Sequence, residues 1–261
     1  MIELYHWEPN IYYLKPLIAL KEVRAPFTSR YFDPTSFEQC SASFPQSTES
    51  ALNLEREGPL LVDGVTVLSG SFFILEYIAE AFPAASLYPA DPYERYRARS
   101  WGQLIALQLA PAVCALGCAR YLAPALAARD AQQLKARIAR IDPLERRAAW
   151  TAVLDGSYDE KTLAAVRERL QMPIKRFEDA LGKSAWLAGA QYSLADIDAF
   201  AMLSPLTELA PQVVNAAMTP RITRFLERMR ERPAVQQALT LARTPQPQQA
   251  FVPGAEPSRW G

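Results

Sequence analysis

Few side chains in this sequence are of the types that change charge near neutral pH or attack an electrophile as a thiolate. There are three cysteines and one histidine. Cys114 and Cys118 stand four residues apart, which puts both thiols on one helical face. No second pair of cysteines and no neighbouring histidine completes a metal set, so they read as core thiols and no metal is expected. His6 ends a short apolar run with no acid or nucleophile in reach, and reads as a packed or partly exposed strand residue. Ser71 is more promising. It opens a helix, where a hydroxyl and unpaired backbone N–H groups make a place for an anion, with simple capping as the bland reading. Ser193 and Asp196 have the spacing of a capping box, which starts a helix and does no chemistry.

The elements that must position these residues fall into two groups. Residues 2–6 form a short buried strand, 12–22 have helical spacing, and 25–32 are strand-like up to Asp33-Pro34. Residues 35–40 suit one helical turn. Residues 41–57 are polar and aperiodic, a long loop. Residues 59–68 are a hairpin about Asp63-Gly64, and 71–82 a helix stopped by Pro83. Strand, helix, strand, strand, strand, helix is a thioredoxin-like order. The expected division is 1–82 for this part, 83–92 for a Pro-rich linker and 93–245 for helices alone. Residues 246–261, rich in Pro and Gln, make an irregular tail. The helices are expected at 93–121, bent by Pro111, and at 130–141, 161–181, 194–206, 219–231 and 234–241.

The totals narrow the class. The chain has 261 residues, half of them hydrophobic, enough for an ordinary core without staples. Lys plus Arg and Asp plus Glu are equal at 28, so no overall field favours nucleic acid or an anionic membrane. The sparse cysteines fit a reducing compartment. The longest apolar stretch, 104–116, is short of the roughly 20 residues a membrane span needs, and no targeting segment is visible. A cytoplasmic protein is expected.

Three local patterns turn this layout into a resemblance. They are Gly58-Pro59-Leu60-Leu61 ahead of the hairpin, Ser71 at its helix start, and the run from Trp186-Leu187-Ala188-Gly189 through Ser193-Leu194-Ala195-Asp196. With them the chain resembles the glutathione-transferase superfamily, of α+β class with a thioredoxin-like domain before an all-α domain. Leu14-Lys15-Pro16, Asp33-Pro34-Thr35-Ser36-Phe37-Glu38-Gln39, Pro89-Ala90-Asp91-Pro92-Tyr93 and the Arg146-Arg147-x-x-Trp150 cluster are similar to the bacterial β-etherase branch. That branch cleaves lignin-derived aryl ethers.

The resemblance implies glutathione as co-substrate and assigns its contacts. Pro59 is expected to be cis, leaving the backbone of Gly58 to pair with the cysteinyl unit. Ser71 would hold the γ-glutamyl carboxylate. The family has an acid or amide before that serine, for the γ-glutamyl ammonium, where this chain has Gly70. A lost charge-assisted bond is worth roughly 1.5–3 kcal/mol, so glutathione binding is expected to be weakened or lost. The branch carries its thiol-activating hydroxyl on a serine. Aligned through Leu14-Lys15-Pro16, this chain has Tyr12-Tyr13 there, either donating a phenolic O–H or packing the pocket. The 41–57 loop, with Arg56, would meet the glycyl end.

If active, the chain would cleave a β-aryl ether by thiolate attack at the carbon bearing the aryloxy group. The aromatic substrate would lie between Trp7, Tyr12, Tyr13 and the bent helix from Trp101 to Cys114. Another class of reading is a structural subunit that stabilises an active transferase partner, suggested by the changes at Gly70, Tyr12-Tyr13 and the longer loop. A third is a transferase of broad scope. Transferases of this fold pair through the helix Ser71 opens and the next one, so Phe72 and Phe73 would contribute to a homodimer or heterodimer face.

Overall fold

The computed structural model describes residues 1–41, 43–48, 58–141 and 144–254. Four strands, β1 (Ile2–His6), β2 (Phe27–Tyr31), β3 (Leu60–Asp63) and β4 (Thr66–Ser69), form one sheet in the order β2-β1-β3-β4. β1 is parallel to β2, with Ile2 opposite Phe27, and antiparallel to β3, with Leu4 opposite Leu61. A parallel pair needs a crossover, and α1 (Ile11–Glu22) supplies it. Asp63 pairs with Thr66, so the hairpin turn is Gly64-Val65, one residue later than expected. Gly64 takes φ +61 there, a backbone that glycine enters without steric cost. β4 runs into α2 (Ser71–Ala81).

α1 is buried almost all round, from Ile11 and Tyr13 through Leu20. One side faces α2 and the other meets helices of the second half. Even Lys15 is enclosed, at 3% exposure. Residues 34–40 form two tight turns, Pro34–Ser36 and Glu38–Cys40, split by Phe37 at φ +63. Most of the loop expected over 41–57, including Arg56, lies outside the described residues.

Among the described residues the second half has helices and no strand. α3 (Pro92–Ala127) begins with Pro92 at its first position and Asp91 accepting from the N–H groups of Tyr93 and Glu94. It carries two π-helical segments, Ile105–Leu109 and Cys118–Leu122, each just upstream of a proline whose missing N–H interrupts the α ladder. α3 is long and apolar enough to cross a membrane by length and composition, but 67% of its apolar window is buried inside the protein. α4 (Ala131–Ile138), α5 (Leu144–Leu154), α6 (Glu160–Leu181), α7 (Leu194–Leu203), α8 (Leu206–Leu209), α9 (Pro220–Arg230) and α10 (Pro233–Leu239) follow. Sequence periodicity missed α5. It buries Trp150 against Phe37, rings 4.9 Å apart.

The capping box forms. Ser193 Oγ accepts from Ala195 N–H, and the Asp196 carboxylate accepts from the backbone N–H groups of Ser193 and Leu187, each at 2.9 Å. Burial raises the Asp196 pKa to about 7 against these hydrogen bonds.

Candidate active site

Strand register brings the candidates to one end of the sheet. Leu60 pairs with both Tyr5 and Ser69, so His6-Trp7, Gly58-Pro59 and Gly70-Ser71 emerge side by side. The Gly58-Pro59 bond is cis. Ser71 is the first residue of α2, 8% exposed, and the N-cap position before it is Gly70, which has no side chain to cap the helix. An anion at that end would meet the hydroxyl and the free N–H ends of an eleven-residue helix.

The two glycines have different causes. At Gly58, φ is +78, and an added Cβ would stand 3.1 Å from Tyr13 Cε1 and 3.2 Å from Phe32 Cζ. The tyrosine ring therefore occupies the space that a larger residue before the cis-proline would need. Tyr13 and Gly58 thus pack as one unit. At Gly70, φ is +87 and an added Cβ would meet Phe73 at 2.9 Å. That ring is 67% exposed and can swing aside, so the constraint on Gly70 is its backbone.

Tyr13 is fully buried, edge-on to Trp7 and Phe32. Its hydroxyl lies 3.6 Å from the Cβ position of Gly58, next to the peptide expected to receive the cysteinyl unit. Burial raises the phenol well above its ordinary pKa, so it stays protonated and can only donate to a thiolate. Tyr12 points elsewhere and accepts a hydrogen bond from Cys114 Sγ at 3.5 Å. The preceding Ile11 has φ +37, an uncommon backbone for a β-branched residue.

Other residues take structural roles. His6 is fully buried between the Trp7 carbonyl (2.6 Å) and Ser29 Oγ (2.7 Å), and burial lowers its pKa. Trp101 does not join Tyr12 and Cys114. It stacks on Phe177 at 4.7 Å and donates to the Leu187 carbonyl, inside the helical half. Cys114 does lie beside Tyr12, but it is 1% exposed. Phe72 is packed within the chain over Gly102, where an added Cβ would approach it to 2.4 Å, whereas Phe73 faces outward.

Nothing in the amino-acid sequence signals that the tail reaches this site. Glu8, 1% exposed, accepts from Tyr31 Oη at 2.6 Å and from the Arg243 N–H at 3.1 Å. Asn10 donates through Nδ2 to the carbonyls of Gln248 (3.2 Å) and Ala250 (3.0 Å). Phe251 and Val252 are then wholly buried. Phe251 stacks on Tyr121 at 5.9 Å and covers Gly117, where an added Cβ would come within 2.1 Å of its ring. The chain continues to Gly254, against Cys114 and Tyr12. The irregular segment is thus threaded between α1 and α3.

Residues 112–233 match the family model for the glutathione S-transferase C-terminal domain. Protein LigF of Sphingobium sp. (strain NBRC 103272 / SYK-6) is 28% identical over 242 residues, 90% of this chain and 92% of that one. The crystal structure of beta-etherase LigF from Sphingobium sp. strain SYK-6 superposes with a TM-score of 0.83 at 27% identity, covering 92% of this chain and 99% of that one. A sphingomonad glutathione S-transferase complexed with glutathione shares the fold, with a TM-score of 0.65 at 22% identity over 92% of this chain and 98% of that one.

Proposed function

We propose that this chain, a member of the glutathione S-transferase superfamily, cleaves β-aryl ethers of lignin-derived aromatics with glutathione as the thiol co-substrate. The observation that carries the reading is the likeness to beta-etherase LigF along nearly the whole of both chains. In the reaction a C–S bond forms at the carbon bearing the aryloxy group and the C–O bond breaks. The electron pair leaves on the phenolate, which takes up the proton lost from the thiol and departs as the phenol. An α-carbonyl would assist by withdrawing charge.

The chain's own residues divide the work. Ser71 and the start of α2 take the γ-glutamyl carboxylate. The Gly58 backbone, turned by cis-Pro59, takes the cysteinyl unit. Tyr13, neutral and adjacent, donates its hydroxyl to the thiolate and lowers the thiol pKa. Trp7 and Tyr12 border the aromatic substrate. Gly70 offers no acid to the ammonium, so glutathione is held more weakly than an acid there would allow.

The structural-subunit reading drew on several independent losses at one site. Those are Gly70, Tyr12-Tyr13 and the longer loop, and the likeness to beta-etherase LigF along nearly the whole chain weighs against that reading. We further propose a cytoplasmic protein that pairs with an identical or related subunit. Phe73 on α2, with Tyr93 and Tyr96 on α3, offers exposed aromatic surface at 67%, 67% and 64%.

Calorimetric titration of glutathione into the chain, followed by turnover of a β-aryl ether ketone, tests the proposal. Binding that is lost in Ser71→Ala, with release of the phenol, is the expected result. A folded chain that gives neither heat nor phenol would sink it.

A further inference from the structure

We propose that the free protein closes its own aromatic pocket, residues 250–254 being seated where the aryl ether would bind and leaving when it enters. The inference rests on the ether-cleaving reading, because that reading places the ligand's ring between Tyr12 and the Cys114 stretch of α3.

There is no gap between tail and helix for a ring to share. Phe251 lies so close over Gly117 that a single added carbon on the helix would overlap it, and a Cβ added at Gly254 would come within 2.8 Å of Cys114 Cβ. Phe251 also presents to Tyr121 what a substrate ring would present, a face stacked at 15° between planes. A tail that merely walled the pocket would leave a space lined by both partners. This one fills the space with its own aromatic side chain.

The polar attachments are few. Before Phe251 the tail is tied to the first half by Asn10, through two carbonyls, and by Glu8, through the Arg243 N–H. Beyond the tail, away from Cys114, a hollow of about 210 Å³ is bordered by Asn10, Tyr121, Glu208, Arg230, Gln248 and Phe251. The hollow thus adjoins the Phe251 ring. An apolar segment with local polar ties and adjoining space is suited to exchange with a ligand of the same shape.

The test compares the full chain with Asn10→Asp, which replaces the donor to the two tail carbonyls by an acceptor, and with a chain ending at Thr244. The first readout involves no catalysis. It is the rate at which a thiol reagent labels Cys114, located by peptide mass, with exposed Cys40 as the internal reference. The second is the affinity for 2-phenoxyacetophenone without glutathione, followed by tryptophan fluorescence. Both variants are expected to label Cys114 about tenfold faster and to bind the ketone about tenfold more tightly. Asn10→Asp keeps every apolar tail residue, so it decides the matter even if the shortened chain does not fold. Faster labelling with unchanged or weaker ketone affinity makes the tail a wall and overturns the proposal. Unchanged labelling in both variants overturns it as well. Faster labelling with no ketone binding by any form overturns the ether-cleaving reading and, with it, the competition, while glutathione titration reports separately on the thiol site.

Discussion

Lys15 Nζ stands 2.6 Å from a carboxylate oxygen of Asp198, and the two side chains are only 4% and 1% exposed. The pair joins α1 to α7, so a charge from the sheet-bearing half is neutralised by one from the helical half. Burial raises the Asp198 pKa and the lysine opposes that shift. Removing one partner leaves the other charge enclosed. Asp198→Ala should therefore cost about 3–5 kcal/mol in urea unfolding. The double variant Lys15→Met/Asp198→Leu should recover most of the loss. A double variant no better than the single one would mean that the pair is not the source.

Asp196 gives a pH dependence of definite sign. Its folded pKa, about 7, lies above the ordinary 3.8, so the folded state binds more protons than the unfolded one between those values. Its contribution to stability is complete below about pH 4 and is lost as pH rises through 7, at most about 1.4 kcal/mol per pH unit. Asp196→Asn should remove this slope from the urea midpoint measured at pH 4 to 8. It should also cost roughly 1 kcal/mol throughout, from the weakened capping box.

The contact between Tyr13 and Gly58 predicts coupling across 45 positions of chain. Gly58→Ala should cost roughly 1–3 kcal/mol, in part from φ +78 and in part from the Tyr13 and Phe32 rings. In a Tyr13→Ser background the contact with the phenol ring is gone, and the same substitution should cost measurably less. Additive losses in the double-mutant cycle would show that the two positions are energetically independent.

Tyr13→Phe removes one oxygen and keeps the ring packing. Loss of a donor to the thiolate should lower kcat/KM for the aryl ether by about tenfold to a hundredfold, roughly 1.5–3 kcal/mol, with little change in Tm. The thiol pKa of bound glutathione, read from ultraviolet absorbance against pH, should rise. Tyr12→Phe should leave that pKa in place. The reverse pattern would give the donor's role to Tyr12.

Most of the scaffold was legible because its signals are local. Asp-Gly marks the hairpin and Ser193 to Asp196 starts α7, whereas Asp91-Pro92, read as the end of a linker, is the start of α3. What escaped depends on contacts distant in sequence. Nothing around Lys15 announces Asp198, and no local pattern links Tyr13 to Gly58. The apolar trio Ala250-Phe251-Val252 is too short to show a period and sits among prolines and glutamines, so composition alone made it a loose end. Trp101 was misplaced for a related reason. Its position on a helix bordering the cleft was legible, but the side on which the indole would fall was not.

For the residues beyond Trp101, the facing is set by the two π segments of α3. Each inserts one residue beyond the α count, so everything downstream is turned by about 100° around a nearly unchanged axis. Cys114, Gly117 and Tyr121 owe their place beside α1 to this change of phase as much as to their identity. A one-residue deletion within Ile105–Leu109 would return that turn to α geometry and leave Cys114, Gly117 and Tyr121 facing α1, whereas the same deletion in the α-helical stretch Ala110–Gly117 would turn the residues beyond it by about 100°. The π segments are thus the places where this helix can lose a residue and keep its pocket lining.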